Sequence, residues 1–148
     1  MKALLQRVSR AAVRVEGAEV ARIGEGLLIL LGVEAGDRPG FEERLAARCS
    51  ELRIFEDEQG RMNRSVKEIG GSALVVPQFT LAADTSRGRR PSFDSAAAPE
   101  PAERAFRTFC AALSGLEVPV GMGRFGASME VELINCGPAT FMLEVTGD

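Results

Sequence analysis

Histidine is absent from this chain of 148 residues. That omission removes Ser-His and Cys-His nucleophile activation, imidazole general-base chemistry and the commonest transition-metal ligand. Catalysis, if there is any, must then rely on carboxylates, lysine, hydroxyls, backbone dipoles or the substrate itself. Tryptophan and tyrosine are also missing, which leaves stacking to the eight phenylalanines and to arginine planes. The three cysteines, Cys49, Cys110 and Cys136, are odd in number and widely spaced. They form neither a disulfide framework nor a zinc motif, and a reducing cytoplasm is the simplest reading. No apolar run is longer than Leu27 to Leu31, far short of a bilayer span. The opening Met1-Lys2-Ala3-Leu4-Leu5-Gln6-Arg7 lacks the apolar centre of a signal peptide. The expectation is a soluble cytoplasmic protein with no membrane association. The net charge of −3 argues against broad electrostatic binding of nucleic acid. Acidic residues are scattered over outward faces with no acid/base or metal spacing, so neither a metal nor a cofactor is expected.

What the chain does contain is one domain's worth of ordinary globular sequence, 45% apolar and 26% charged. Residues 3–8 pattern as a strand. Residues 11–16 and 18–23 alternate about Glu16-Gly17 as a hairpin. Leu27 to Val33 reads as a strand buried on both faces. Phe41, Leu45, Cys49 and Leu52 follow helical spacing. Ile54-Phe55 begins a short strand closed by Asp57-Glu58-Gln59-Gly60. Ser72 to Val76 is the clearest central strand and stops at Pro77. Ala83 to Pro99 is loop-like, and a second helix begins near Pro101 and stops at Gly115. Ser128 to Leu133 and Phe141 to Thr146 alternate as two strands, and Gly137-Pro138 between them reads as a turn. Short turns between neighbouring strands favour an α+β, mainly antiparallel domain over 1–148 with two main helices.

Three stretches could carry chemistry. Pro77-Gln78-Phe79-Thr80-Leu81 lies where a buried strand ends. There the backbone N–H groups of Phe79 and Thr80 can act as oxyanion donors without any ionisable side chain. An ordinary strand end is the plainer reading, and Thr80 has no histidine to make it a nucleophile. Arg87, Arg89 and Arg90 gather three guanidiniums on a flexible loop, either a phosphate contact or a solvated loop. The Gly137 carbonyl, next to a proline that cannot continue a ladder, either receives a ligand's ammonium or closes a plain turn. Cys136 reads as a small packing residue.

These stretches together resemble the D-aminoacyl-tRNA deacylases over the full length of the chain. The family's Ser-Gln-x-x-Leu and Gly-Pro-Val-Thr motifs stand here as Pro77-Gln78-Phe79-Thr80-Leu81 and Gly137-Pro138-Ala139-Thr140. Leu5-Gln6-Arg7-Val8, Ala12-Val13-Arg14-Val15, Gly24 through Val33, Leu52 through Asp57 and Gly88-Arg89-Arg90-Pro91-Ser92-Phe93 are also similar to the family.

The resemblance implies a β-rich, barrel-like domain that forms a homodimer with a cross-subunit active site. It implies hydrolysis of the ester between a D-amino acid, or glycine, and the 3′ end of tRNA. The implied catalytic residues are Gln78, Phe79 and Thr80, with assistance from the ribose 2′-hydroxyl. A cis Gly137-Pro138 reaching into the partner's site binds the ammonium and rejects L side chains. Phe125 and Met129 are expected to pack beneath that corner and Arg7 to brace it, while Arg87, Arg89 and Arg90 contact tRNA. Two positions depart from the family: Pro77 stands for Ser and Ala139 for Val. Pro-Gln is similar to a related animal deacylase that clears L-alanine from threonine tRNA. The alternatives are therefore editing of L-Ala mischarged on tRNA, and a dimeric ligand-binding module without catalysis.

Overall fold

The computed structural model describes residues 1–147. Strand β1, Lys2–Val15, organises the sheet. Its first half pairs antiparallel with β3, Gly26–Gly32, and its second half with β2, Ala18–Ile23. The β1–β2 turn has positive φ at both Glu16 and Gly17, as a tight hairpin requires. β3 then pairs in parallel with β6, Ser72–Pro77, and β6 in parallel with β7, Val120–Met122. Between them, helix α1 spans Phe41–Glu51, and β4, Phe55–Glu56, forms a small hairpin with β5, Met62–Arg64. A 3-10 turn, Phe79–Ala82, leaves β6, and helix α2, Pro99–Gly115, leads to β7.

The sheet is thus mixed, antiparallel around β1 and parallel from β3 through β6 to β7. The expectation of a mainly antiparallel sheet holds for all the pairings of β1, and the parallel pairings of β3 with β6 and of β6 with β7 were not anticipated. Each parallel link uses a crossover carrying a helix, α1 between β3 and β6 and α2 between β6 and β7. The sheet also curls: a Cβ on Gly121 of β7 would lie 3.5 Å from the Ala21 Cβ of β2. The result is a nearly closed, barrel-like sheet with the two helices outside.

Alternation along the strands divides the core in two. Leu27, Ile29 and Leu31 of β3, with Ala73 and Val75 of β6, face Leu45 and Cys49 of α1 and Phe106, Phe109 and Leu113 of α2. Leu28, Leu74 and Val76 face inward with Val8, Val13 and Ile23. This explains why Leu27–Leu31 and Ala73–Val76 are unbroken apolar runs: both faces are buried. Each fully buried Leu or Val contributes about 1.5–3 kcal/mol. At the edge of the helix layer, the Met1 ammonium donates to Asp37 Oδ1 at 2.6 Å and to the Val145 carbonyl at 3.0 Å.

The largest correction concerns the C-terminal strands. They form no hairpin. Glu130–Glu144 is one strand, β8, antiparallel to β1 throughout. Asn135 pairs with Val8 and Thr140 with Gln6, so Cys136–Ala139 bulge from the ladder opposite Arg7. Among the described residues no helix is long and apolar enough to cross a membrane.

Burial pushes the Cys49 and Cys110 thiols up to about 12 from an ordinary value of 9.0. The unfolded chain therefore releases these protons near pH 9 while the folded chain keeps them. Stability is intact below that pH and is progressively lost as the pH rises towards 12. With no tyrosine and two lysines, few other side chains titrate in this window. Urea melts between pH 8 and 11 should show the decline, and a Cys49→Ala/Cys110→Ala variant should flatten it.

Candidate active site

The first site grows from the end of β6. Gln78 N–H donates to the Leu31 carbonyl at 2.8 Å, which is the β3 side of the ladder. By alternation the preceding residue would donate towards β7, but Pro77 has no N–H and the ladder ends there. The chain then tightens into the 3-10 turn. Leu81 N–H bonds the Gln78 carbonyl at 3.2 Å and Ala83 N–H the Thr80 carbonyl at 3.1 Å. The N–H groups of Phe79 and Thr80 precede these bonds, and among the described residues neither meets an acceptor. Gln78 Nε2 donates to Thr80 Oγ1, locking the two polar side chains together.

Phe79 is 57% exposed. Its ring meets Phe93 edge-on, with centroids 5.2 Å apart. Behind them opens a cavity of about 560 Å³ with Pro77, Gln78, Ala102, Phe125 and Met129 in its walls. The wall is largely apolar, and the bare donors of Phe79 and Thr80 lie on the turn that borders it. Phe125 is also packed against Phe106 of α2.

The second site is the bulge in β8. Arg7 Nε donates to the Cys136 carbonyl at 2.8 Å, and its Nη1 to the Ile54 carbonyl at 2.7 Å. Asn135 Nδ2 donates to the carbonyls of Arg7 and Ala139, at 3.1 and 3.3 Å, tying both feet of the bulge. Ala139 is buried, while Gly137 and Pro138 are exposed. The Gly137-Pro138 peptide is cis. A Cβ on Gly137 would lie 2.6 Å from Asn135 Oδ1, so this position admits glycine alone without rearrangement.

Within one chain the two sites are separate. Phe125 and Met129 line the first cavity, whose lining does not include Gly137 or Pro138. Next to the bulge is a different, more polar cleft of about 330 Å³, bordered by Arg7, Glu25, Glu56 and Cys136. Arg87, Arg89 and Arg90 are exposed on a loop closed by two backbone bonds between Asp84 and Ser92, at 2.7 and 2.8 Å. Among the described residues none of the three makes an ion pair, and no three His, Cys, Asp or Glu side chains are grouped to hold a metal. Sequence reasoning gave no role to Asn135 or Phe93. Their neighbours lie four or more residues away, and no local spacing marks them.

Fold and site together define a small α+β protein with free main-chain N–H groups beside an apolar pocket and an exposed bulge at Gly137-Pro138. Free N–H donors can polarise a carbonyl without an ionised side chain. The family model described as D-Tyr-tRNA(Tyr) deacylase matches residues 4–144, and the chain belongs to that family. A D-aminoacyl-tRNA deacylase of Marinobacter nauticus is 58% identical over 146 residues, covering 97% of this chain and 94% of the relative. One from Cereibacter sphaeroides is 55% identical over 144 residues, covering 97% and 99%. A solved structure described as "c-Myc DNA Unwinding Element Binding Protein" superposes with TM-score 0.93 at 37% identity, covering 99% of this chain and all, 100%, of that one. A "probable eukaryotic D-amino acid tRNA deacylase" gives TM-score 0.80 at 18% identity, a likeness of fold alone, over 97% of this chain and 98% of that one.

Proposed function

We propose that this protein hydrolyses the ester joining a D-amino acid to the 3′ end of tRNA. The observation that carries this reading is the full-length family match combined with two bare N–H donors beside an apolar pocket. Water attacks the ester carbonyl, and the donors of Phe79 and Thr80 hold the tetrahedral oxyanion. Its collapse expels the ribose 3′-oxygen, which takes up a proton, and the vicinal 2′-hydroxyl assists. No histidine is needed. Removing one donor of this kind costs about 2.7–4 kcal/mol in other enzymes.

The active unit in this reading is a homodimer. Gly137 and Pro138 are exposed and lie outside their own chain's apolar pocket, a layout that suits insertion into the pocket of a second copy. There the Gly137 carbonyl accepts from the substrate ammonium, and the Gly137-Pro138 edge leaves no room for an L side chain. Exclusion of the wrong enantiomer, more than attraction of the right one, sets specificity. The exposed Arg87, Arg89 and Arg90 meet tRNA phosphates. A cytoplasmic location follows from the substrate.

Pro77, in the cavity wall where the family has Ser, favours one second reading, editing of L-alanyl esters. Purified protein mixed separately with D-Tyr-tRNA, L-Tyr-tRNA, Gly-tRNA and L-Ala-tRNA separates the two. Rapid loss of the D-tyrosyl ester with the L-tyrosyl ester spared is the expected result. Equal rates on both tyrosyl esters defeat the chiral reading. Loss of the L-alanyl ester alone establishes the second.

A further inference from the structure

We propose that Phe93 is a positioning residue for the Phe79–Thr80 donors, an inference that rests on the function proposed above. The 3-10 turn is seated on β3 at Gln78 and Leu81, and the two donor residues between them are exposed. Its two backbone bonds fix Leu81 and Ala83, and only Ala82 of the turn is buried. Ahead of them, Phe79 and Thr80 are held by the Gln78–Thr80 side-chain bond and the edge contact from Phe93.

The main chain at Phe93 is firmly held, while its ring is exposed. Ser92 is bonded to Asp84 in both directions, and Ala96 N–H closes onto the Phe93 carbonyl at 3.0 Å. Two further bonds strap this segment to the exit of β3: Ala35 N–H to the Ser95 carbonyl at 2.9 Å, and Ala97 N–H to the Val33 carbonyl at 3.1 Å. The exits of β3 and β6 are thereby joined through two rings, at an interplanar angle of 63° where an aromatic edge meets an aromatic face. The same loop carries Arg87, Arg89 and Arg90 at its tip, so it joins a basic surface to the donor turn. Its role is mechanical as well as electrostatic.

The test is steady-state hydrolysis of D-Tyr-tRNA by Phe93→Ala and Phe93→Tyr. Small displacements of an oriented site are expensive, and Phe93→Ala is expected to lower kcat about tenfold with KM little changed. Phe93→Tyr keeps the ring edge and is expected to retain the wild-type kcat. Phe93→Leu replaces Phe93→Ala should the latter not fold. Amide exchange supplies a readout independent of turnover: protection at Leu81 and Ala83 falls in Phe93→Ala and is kept in Phe93→Tyr. An unchanged kcat overturns the proposal, as does a rise in KM alone, which would make the ring a substrate contact. If wild-type protein cleaves no D-Tyr-tRNA, the proposed function fails, and the exchange arm still decides the brace: unchanged protection overturns it.

Discussion

Gly137→Ala is expected to lower D-Tyr-tRNA hydrolysis about a hundredfold while leaving the fold intact. The added methyl group would sit 2.6 Å from Asn135 Oδ1 and 3.2 Å from the Ala139 nitrogen. The side-chain amide is the softer of these obstacles, but it is not free. Asn135 Nδ2 holds the carbonyls of Arg7 and Ala139, so clearing the methyl group releases both feet of the bulge. Two hydrogen bonds at a half-exposed site are worth about 0.5–1.5 kcal/mol each, too little to unfold a domain. Position is what is lost. A shift near 1 Å in a group that orients substrate costs about 10² in rate. Asn135→Ala removes the same two bonds by itself, so adding it to Gly137→Ala should lower activity little further. The double-mutant cycle then reports a coupling between the two residues. Wild-type activity in Gly137→Ala would remove the bulge from the mechanism.

That bulge also marks where the sequence stopped being readable. The alternation of Met129, Val131 and Leu133 and of Phe141, Leu143 and Val145 correctly indicated strand on both sides. Gly137-Pro138 was read as punctuation, because no N–H at Pro138 can serve a ladder. Whether punctuation reverses a strand or lifts it depends on the partner, and register belongs to a pair of strands. Here β1 is fourteen residues long, enough to pair with both halves of β8, so the chain continues and Cys136–Ala139 are set aside. Ser9-Arg10 hid that length, since these two polar residues separate the strand read over 3–8 from the one read from 11.

Elsewhere local chemistry was enough. Glu16-Gly17 announced its hairpin, and the spacing of Phe41, Leu45 and Cys49 its helix. The run Leu27–Leu31 announced burial on both faces, and both core clusters draw on it. The same run did not reveal that β3 and β6 are parallel, a relation set by the crossover through α1. The candidate site was legible as two motifs, not as two places. Asn135 and Phe93 do their work on residues reached only after folding, Arg7 and Ala139 for one and Phe79 for the other.

The second large effect is expected where the side chain is irrelevant and the main chain is not. Phe79→Pro should hydrolyse D-Tyr-tRNA about 10²–10³-fold more slowly than Phe79→Ala. Both variants lose the aromatic ring and its contact with Phe93, so that loss cancels in the comparison. They differ in one N–H. Proline suits the backbone at this position: Phe79 is the first residue of the 3-10 turn, where φ is near −60° and no intrahelical donor is required. Gln78 before it lies at φ −142° and ψ 79°, outside the helical region that a following proline disfavours. The two variants should therefore melt at similar temperatures, which a thermal scan checks directly. A rate ratio near one would mean that the Phe79 donor does not touch the reacting carbonyl. A ratio in the expected range would place the chemistry on the backbone. Such a result would suit a chain without histidine, whose Thr80 hydroxyl accepts from the amide of Gln78.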